Sequence, residues 1–187
     1  MMVGVYSVIH EAEHGVLFSH RRWNAAAGVL MAAFFPAPFH LLRQGHIGHH
    51  LRNRSDDEAF DLWFEGESPV WKWLQWLGIL TGAFYVMVVL GNIVVLALPF
   101  LLHRRWFNFD RPTAAFMDSL NPRYARMIQL EAVAVIALHI TIVWLMHIPL
   151  LHYVMLYAAF GALWSALQYL HHYNTCLLYT SDAADEA

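Results

Sequence analysis

Charge is absent from this chain over two long runs, and those runs set the pattern from which its elements are read. No Lys, Arg, Asp or Glu occurs from Trp73 to His103 or from Ala132 to Ser181, and each run exceeds the roughly 20 apolar residues that carry a helix across a bilayer. The second run belongs to two apolar stretches, 127–146 and 150–170, split by His147-Ile148-Pro149 and joined by a short turn. Around the stretch 74–102, Trp71, Trp73 and Trp76 crowd one end and Arg104, Arg105 and Trp106 the other, the pattern of anchors at a membrane–water interface. Gly82, Gly91 and Asn92 are candidate break points inside it. Residues 23–42 are also free of acid and base, but Pro36 and Pro38 interrupt helical hydrogen bonding, so this stretch is read as a kinked or partly inserted helix. Ser55-Asp56-Asp57-Glu58 has the form of a capping box and predicts an aqueous helix, with Asp61, Glu65 and Glu67 on its solvated face. Asp110-Arg111-Pro112 and Asn121-Pro122 predict turns in the polar link that follows.

Composition agrees with a membrane protein. The chain is 59% hydrophobic and 13% charged, with a mean hydropathy of +0.42; soluble domains hold about 45–50% apolar and about 25% charged residues. The expected fold class is therefore all-α, a multi-span membrane helical bundle. Met1 to Ile9 lacks the ordered basic, apolar and small-residue segments of a secretory signal, and the first histidine group follows so soon that the N-terminus reads as truncated. Residues 176–187, CLLYTSDAADEA, resemble the translation of a sequencing-library adapter, which leaves 1–175 as a partial membrane domain. Without that tail the acids fall from 14 to 14 − 3 = 11, balancing the 11 basic residues, and the single cysteine goes with it. A cysteine-free domain holds neither a disulfide nor a cysteine-ligated iron–sulfur cluster, so redox electrons would have to come from another protein. Nothing in the charge points to nucleic acid.

Thirteen histidines are present, and their clustering matters more than their number. His10 and His14 in HEAEH are four apart, which on a helix stacks both rings on one face. His46, His49 and His50 in HIGHH repeat that stripe at i, i+3 and i+4, and QYLHH brings Gln168, His171 and His172. Imidazole is a good ligand for iron, and a hydrophobic chain has little other reason to group so many rings. A ligating imidazole usually donates its second N–H to an acceptor. Glu13, Asn53, Asp57 and Gln168 lie near enough in sequence to serve, as do Glu11 and Asp56. His20, His40, His103, His139, His147 and His152 stand singly and are read as packing or interfacial residues.

Two other readings use the same residues. His10-Glu11-Ala12-Glu13-His14 satisfies H-E-x-x-H, the zinc and general-base motif of metalloproteases, and an intramembrane protease would suit the hydrophobicity. That reading leaves HIGHH and QYLHH without a task. A metal transporter would place acidic or polar groups inside the spans, where the chain has mainly Gln75, Thr81, Asn92, Thr141 and isolated histidines. A ferritin-like site would need a second Glu-x-x-His beside Glu11 and His14, which the sequence lacks.

The order HxxxH, HxxHH, membrane helices and then a Gln-led histidine group resembles the membrane fatty acid desaturase superfamily, which includes hydroxylases and alkane monooxygenases. The resemblance covers roughly residues 3–175. It implies two iron ions at a histidine-rich centre on the cytoplasmic face, with His10, His14, His46, His49, His50, His171 and His172 as ligands. It also implies O2 and two electrons used to desaturate an acyl chain carried as acyl-lipid, acyl-CoA or acyl-carrier protein, with hydroxylation as the alternative. The donor would be a separate protein of ferredoxin, rubredoxin or cytochrome b5 type, and the location the bacterial cytoplasmic membrane. Gln168 and His172 match the polar-residue-then-histidine element that precedes a further HxxHH box, although Gln168, His171 and His172 also read as the last box itself. An acyl chain would pass the aromatic stretch around Tyr157, Phe160, Trp164 and Tyr169. Histidines sharing one centre must lie on one side of the bilayer. The stretch 74–102 is therefore expected to turn back on itself while 127–146 and 150–170 cross and return.

Overall fold

Apolar sequence in lipid has few backbone options, because every N–H and C=O must find its partner within the protein; helices are the simplest answer. The structure, a computed structural model, describes residues 2–52, 55–58 and 63–172, with the side chains of 2, 3, 171 and 172 left aside, and among these the regular elements are all helical. They are α1 (Met2–His14), α2 (Arg21–Phe34), α3 (Phe39–Arg52), α4 (Pro69–Thr81), α5 (Ala83–Ala97), α6 (Arg111–Asp118), α7 (Ala125–Leu145) and α8 (Leu150–His172). Short 3-10 turns lie at Pro99–Leu101, Arg104–Trp106 and Pro122–Tyr124.

The all-α membrane architecture expected from the hydropathy is present. The segments Pro122–Leu145 and Leu150–Leu170 are each long and apolar enough to cross a membrane. Between them His147 takes a left-handed conformation, φ 51°, in the expected turn. The stretch 74–102 is not one straight helix: α4 and α5 meet at 92°, as a broken span or a re-entrant loop. At about 1.5 Å per residue they reach only about 20 and 22 Å, short of the roughly 30 Å hydrocarbon core. The break falls at Gly82, whose φ of 81° ends α4 in the left-handed region. Gly91 and Asn92, the other expected break points, lie inside the continuous α5.

A second bend, of 103°, separates α2 from α3 at Pro36 and Pro38. Ending a helix in an apolar setting orphans its last carbonyls, and here side chains from three other helices reach four in succession. His139 Nε2 lies 2.7 Å from Ala33 O, the Tyr157 hydroxyl donates to Phe34 O at 3.2 Å, the Tyr85 hydroxyl to Phe35 O at 3.4 Å and Asn92 Nδ2 to Pro36 O at 2.8 Å. Around this break packs a core of Ile9, Phe35, Phe39, Tyr85, Phe160 and Trp164, with Phe35 and Trp164 rings 5.0 Å apart. Much of the aromatic stretch proposed as an acyl path is thus packing: Phe160 and Trp164 are buried in this core, and Tyr157 caps a carbonyl.

The polar link departs from expectation in one place. No helix starts at Ser55; residues 55–58 form a turn and 63–68 are loop and turn, while Asp61 lies outside the described residues. Glu58 does not close a capping box, because its carboxylate is drawn inward to Arg52 Nε at 2.7 Å and His49 Nδ1 at 2.6 Å. Glu67 likewise is not simply solvated, accepting from Phe64 N and lying 3.5 Å from buried Lys72. Asp110 does cap α6 through Thr113 N and also accepts from Gln75 Nε2 at 2.6 Å, tying α4 to α6.

Gly82 lies against α8 so closely that a Cβ would stand 2.4 Å from Ala162 Cα, whereas a Cβ on Gly91 would meet nothing within 4 Å. Gly82→Ala is expected to cost on the order of 3 kcal/mol or more, from positive φ and a backbone clash together. Gly91→Ala should be neutral or stabilise by roughly 0.5–1 kcal/mol, having only helix propensity to gain. Thermal unfolding of both variants in detergent checks the pair, and equal effects would sink this account of the bend.

Candidate metal centre

Each histidine box rides on a short helix whose end is held by neighbours. The last carbonyls of α1 are taken by other elements: Asn24 Nδ2 donates to Ala12 O at 2.7 Å and Arg43 Nε to Glu13 O at 2.8 Å. Asn24 Oδ1 in turn accepts from Phe18 N at 2.8 Å, fixing the loop after HEAEH. Helix α3 divides its faces by residue size. Gly45 and Gly48 face α6, where a Cβ would come within 2.1 Å of Phe116 and of the Ser119 hydroxyl respectively. Their lack of side chains lets α6 lie against one face, while His46 and His50 gather with α1 on another.

His10, His14, His46 and His50 converge, with one ring nitrogen from each lying within 4.8 Å of all the others. Ring centroids are 4.6 Å apart for His10 and His14, 4.6 Å for His10 and His46, and 4.4 Å for His46 and His50. His46 Nε2 is 2.9 Å from both His14 Nε2 and His50 Nε2. A neutral imidazole nitrogen has either one hydrogen or one lone pair, so without a cation both neighbours must share a single lone pair or a single hydrogen on His46. Three nitrogens aimed at one point suit a cation far better, and a purely nitrogen donor set matches iron, zinc or copper rather than magnesium or calcium.

Burial makes the group a poor place for protons. The surrounding protein, and then the neighbouring imidazoles, push His46 down to about 2, so its ring stays neutral and keeps a lone pair for a ligand. Helix α3 carries Arg43, Gln44 and Arg52 beside its histidines and is not by itself long and apolar enough to cross a membrane. Glu13 is 1% exposed, and burial raises its carboxyl to about 8, partly offset by Arg43. Its Oε2 has no hydrogen-bond partner among the described residues and stands 3.9 Å from His46 Nδ1. That orphaned oxygen faces the far nitrogen of a ring whose Nε2 points into the group, the place where an acceptor supports a metal-bound imidazole.

The remaining expected site residues distribute unevenly. His49 is beside the group rather than in it: its ring is 5.6 Å from that of His50, and its Nδ1 pairs with Glu58. Asp57 is in an exposed turn, and Glu11 points outward with half its side chain exposed. Gln168 is half-buried on α8, and His171 and His172 close that helix with side chains outside the described residues, as Asn53 is altogether. Sequence reading missed Glu58, which joins His49 to Arg52 and through Arg52 to Ser119 at 2.5 Å. The acid lay inside an apparent capping box, and only its spacing of nine from His49 could have hinted at the pairing. Among the lone histidines, His20 and His103 cap local turns by accepting from Arg22 N and Arg105 N, both at 3.2 Å.

No curated protein and no solved structure matches this chain. The family described as fatty acid desaturase does, over residues 1–186, a span that includes both histidine boxes of the converging group and both candidate membrane spans. On that match, and on the helices and histidines just described, the chain belongs to the fatty acid desaturase family and is a membrane protein of a desaturase and hydroxylase type of oxidoreductase.

Proposed function

We propose that this protein is an O2-dependent fatty acyl desaturase, with two iron ions held by histidine on the cytoplasmic side of a bacterial membrane. The observation that carries the reading is the convergence of His10, His14, His46 and His50 within 4.8 Å, from two boxes that are 32 residues apart between His14 and His46. His49, His171 and His172 complete the proposed ligand set, with Glu13 and Gln168 as acceptors beside it and Asn53 and Asp57 as further candidates in the same link. When bound, iron supplies the reaction with O2 that draws hydrogen from an unactivated methylene, which side-chain acids and bases cannot do alone.

The protein's own residues have a narrower task. His14, His46 and His50 aim ring nitrogens at one point, and His46 resists protonation because it is buried among like rings. Glu13 Oε2, 3.9 Å from His46 Nδ1, would be the acceptor for that ring's second N–H once Nε2 held a metal, which would keep the ring in one tautomer. The Glu58–Arg52 pair does the same for His49 from the other side of α3. Apolar packing beneath, led by Ile9 and Ala12, keeps water away from the base of the group. An acyl chain carried as lipid, acyl-CoA or acyl-carrier protein would approach from the bilayer, with electrons delivered by a ferredoxin, rubredoxin or cytochrome b5 type of partner.

Iron analysis of the protein purified in detergent is expected to show metal in the wild type and a loss of most of it in His46→Ala. Glu11→Gln should leave most of the metal in place, since Glu11 is not one of the converging residues and its half-exposed carboxylate only approaches His10 Nδ1 at 3.5 Å; a protease using HExxH would lose its hydrolytic activity in that variant instead. With a donor system and acyl substrates, the desaturase reading expects products lighter by two hydrogens. Products carrying one added oxygen would replace it with the hydroxylase reading, and a wild type that takes up no iron would end both.

A further inference from the structure

Inside the first turns of α7, a helix whose other charged residue, Arg126, lies at its start, Glu131 is 8% exposed. Its two carboxylate oxygens go to one residue of α3: Oε1 lies 2.5 Å from His40 Nδ1, and Oε2 accepts the His40 backbone N–H at 3.0 Å. The amide it takes is among the first of α3, groups that have no partner within their own helix. Two more contacts dock the same turn on the start of α7. Tyr124 stacks on the His40 ring with centroids 5.6 Å apart, and Asn121 N donates to Gln44 Oε1 at 2.5 Å while Gln44 Nε2 reaches back to His40 O at 2.9 Å. None of these residues belongs to the histidine group. Yet α3 delivers His46 and His50 six and ten residues beyond His40, and its preceding chain is the broken α2–α3 bend, which by itself leaves the helix direction open.

We propose that Glu131 is a positioning residue for the metal centre: by holding the first turn of α3 to α7 through His40, it sets where His46 and His50 meet His10 and His14. An aliphatic residue at 131 would satisfy the span's hydropathy better. The carboxylate there costs solvation and is retained, on this reading, for the two directed bonds only it can make. Glutamine, isosteric and with one oxygen and one NH2 group, preserves both contacts if His40 changes tautomer, its oxygen accepting the backbone N–H and its NH2 donating to Nδ1. The inference rests on the metal-centre reading only for what α3 is held in place to do.

The test reads geometry directly and metal separately. In a Cys176→Ser background, which removes the single thiol, spin labels are placed at two exposed positions: Leu51 on α3 and Val16, whose amide is bonded to Glu11 O and so moves with α1. Double electron–electron resonance then gives the α1–α3 distance distribution, and Co2+ titration of unlabelled protein gives affinity and the ligand-field spectrum. Glu131→Ala is expected to broaden or shift the distribution and weaken Co2+ binding by roughly tenfold or more, the usual effect of losing a residue that orients ligands. Glu131→Gln should restore both. If Glu131→Ala fails to fold, His40→Ala, which keeps the backbone bond to Glu131, should broaden the distribution by a smaller amount. An unchanged distribution in the folded variants overturns the inference, as does a Glu131→Gln protein that does not fold. A wild type that binds no Co2+ while Glu131→Ala still broadens the distribution removes the metal reading and leaves the positioning role standing.

Discussion

Everything in this fold that concerns the histidines depends on breaking a helix inside an apolar region without stranding its peptide groups. Two prolines end α2, and the four carbonyls from Ala33 to Pro36 would each be costly if left bare. His139, Tyr157, Tyr85 and Asn92 meet them in order, from α7, α8, α5 and α5 again. On the other side of the bend the Glu131 carboxylate takes the His40 amide. The break is thus a junction where α5, α7 and α8 all attach. The direction of α3, and with it the location of His46 and His50, follows from that attachment rather than from anything within α3.

The same economy governs the centre itself. Four imidazoles aimed at one another make a poor hydrogen-bonded cluster and a good cation site. Burial favours it by keeping His46 unprotonated, and Glu13 and Glu58 sit on the far nitrogens of His46 and His49 where a charge-withdrawing metal would make their carboxylates most useful. Small residues do the spatial work: Gly45 and Gly48 let α6 close behind the box, and Gly82 lets the bent α4–α5 pair lie on α8.

Sequence periodicity found what depends on contacts within one helix. HEAEH and HIGHH place rings one turn apart because i and i+4 share a face on any α-helix, and His10, His14, His46 and His50 do meet, while His49 turns aside to Glu58. Charge-free length identified α7 and α8 and marked 74–102 as unable to be an ordinary span once the boxes were required to share a side. The capping-box reading of Ser55 to Glu58 failed for a reason of the opposite kind. Half-buried Arg52 and His49 nearby offered Glu58 stronger partners than a helix N-terminus could.

From its residues alone, then, the chain determined that it is helical, that it belongs in a membrane and that it carries grouped histidines, because composition and short-range spacing suffice for each. Which histidines meet, which single histidines carry a structural bond and where the buried acids point were decided only in three dimensions. His40 and Glu131 are 91 residues apart, and His14 and His46 are 32 apart. Their pairing follows from helix directions set by the bend at Pro36 and by docking on α7. Neither has a signature in local sequence, because a hydrogen bond between helices depends on how whole elements pack, and spacing along the chain does not record that.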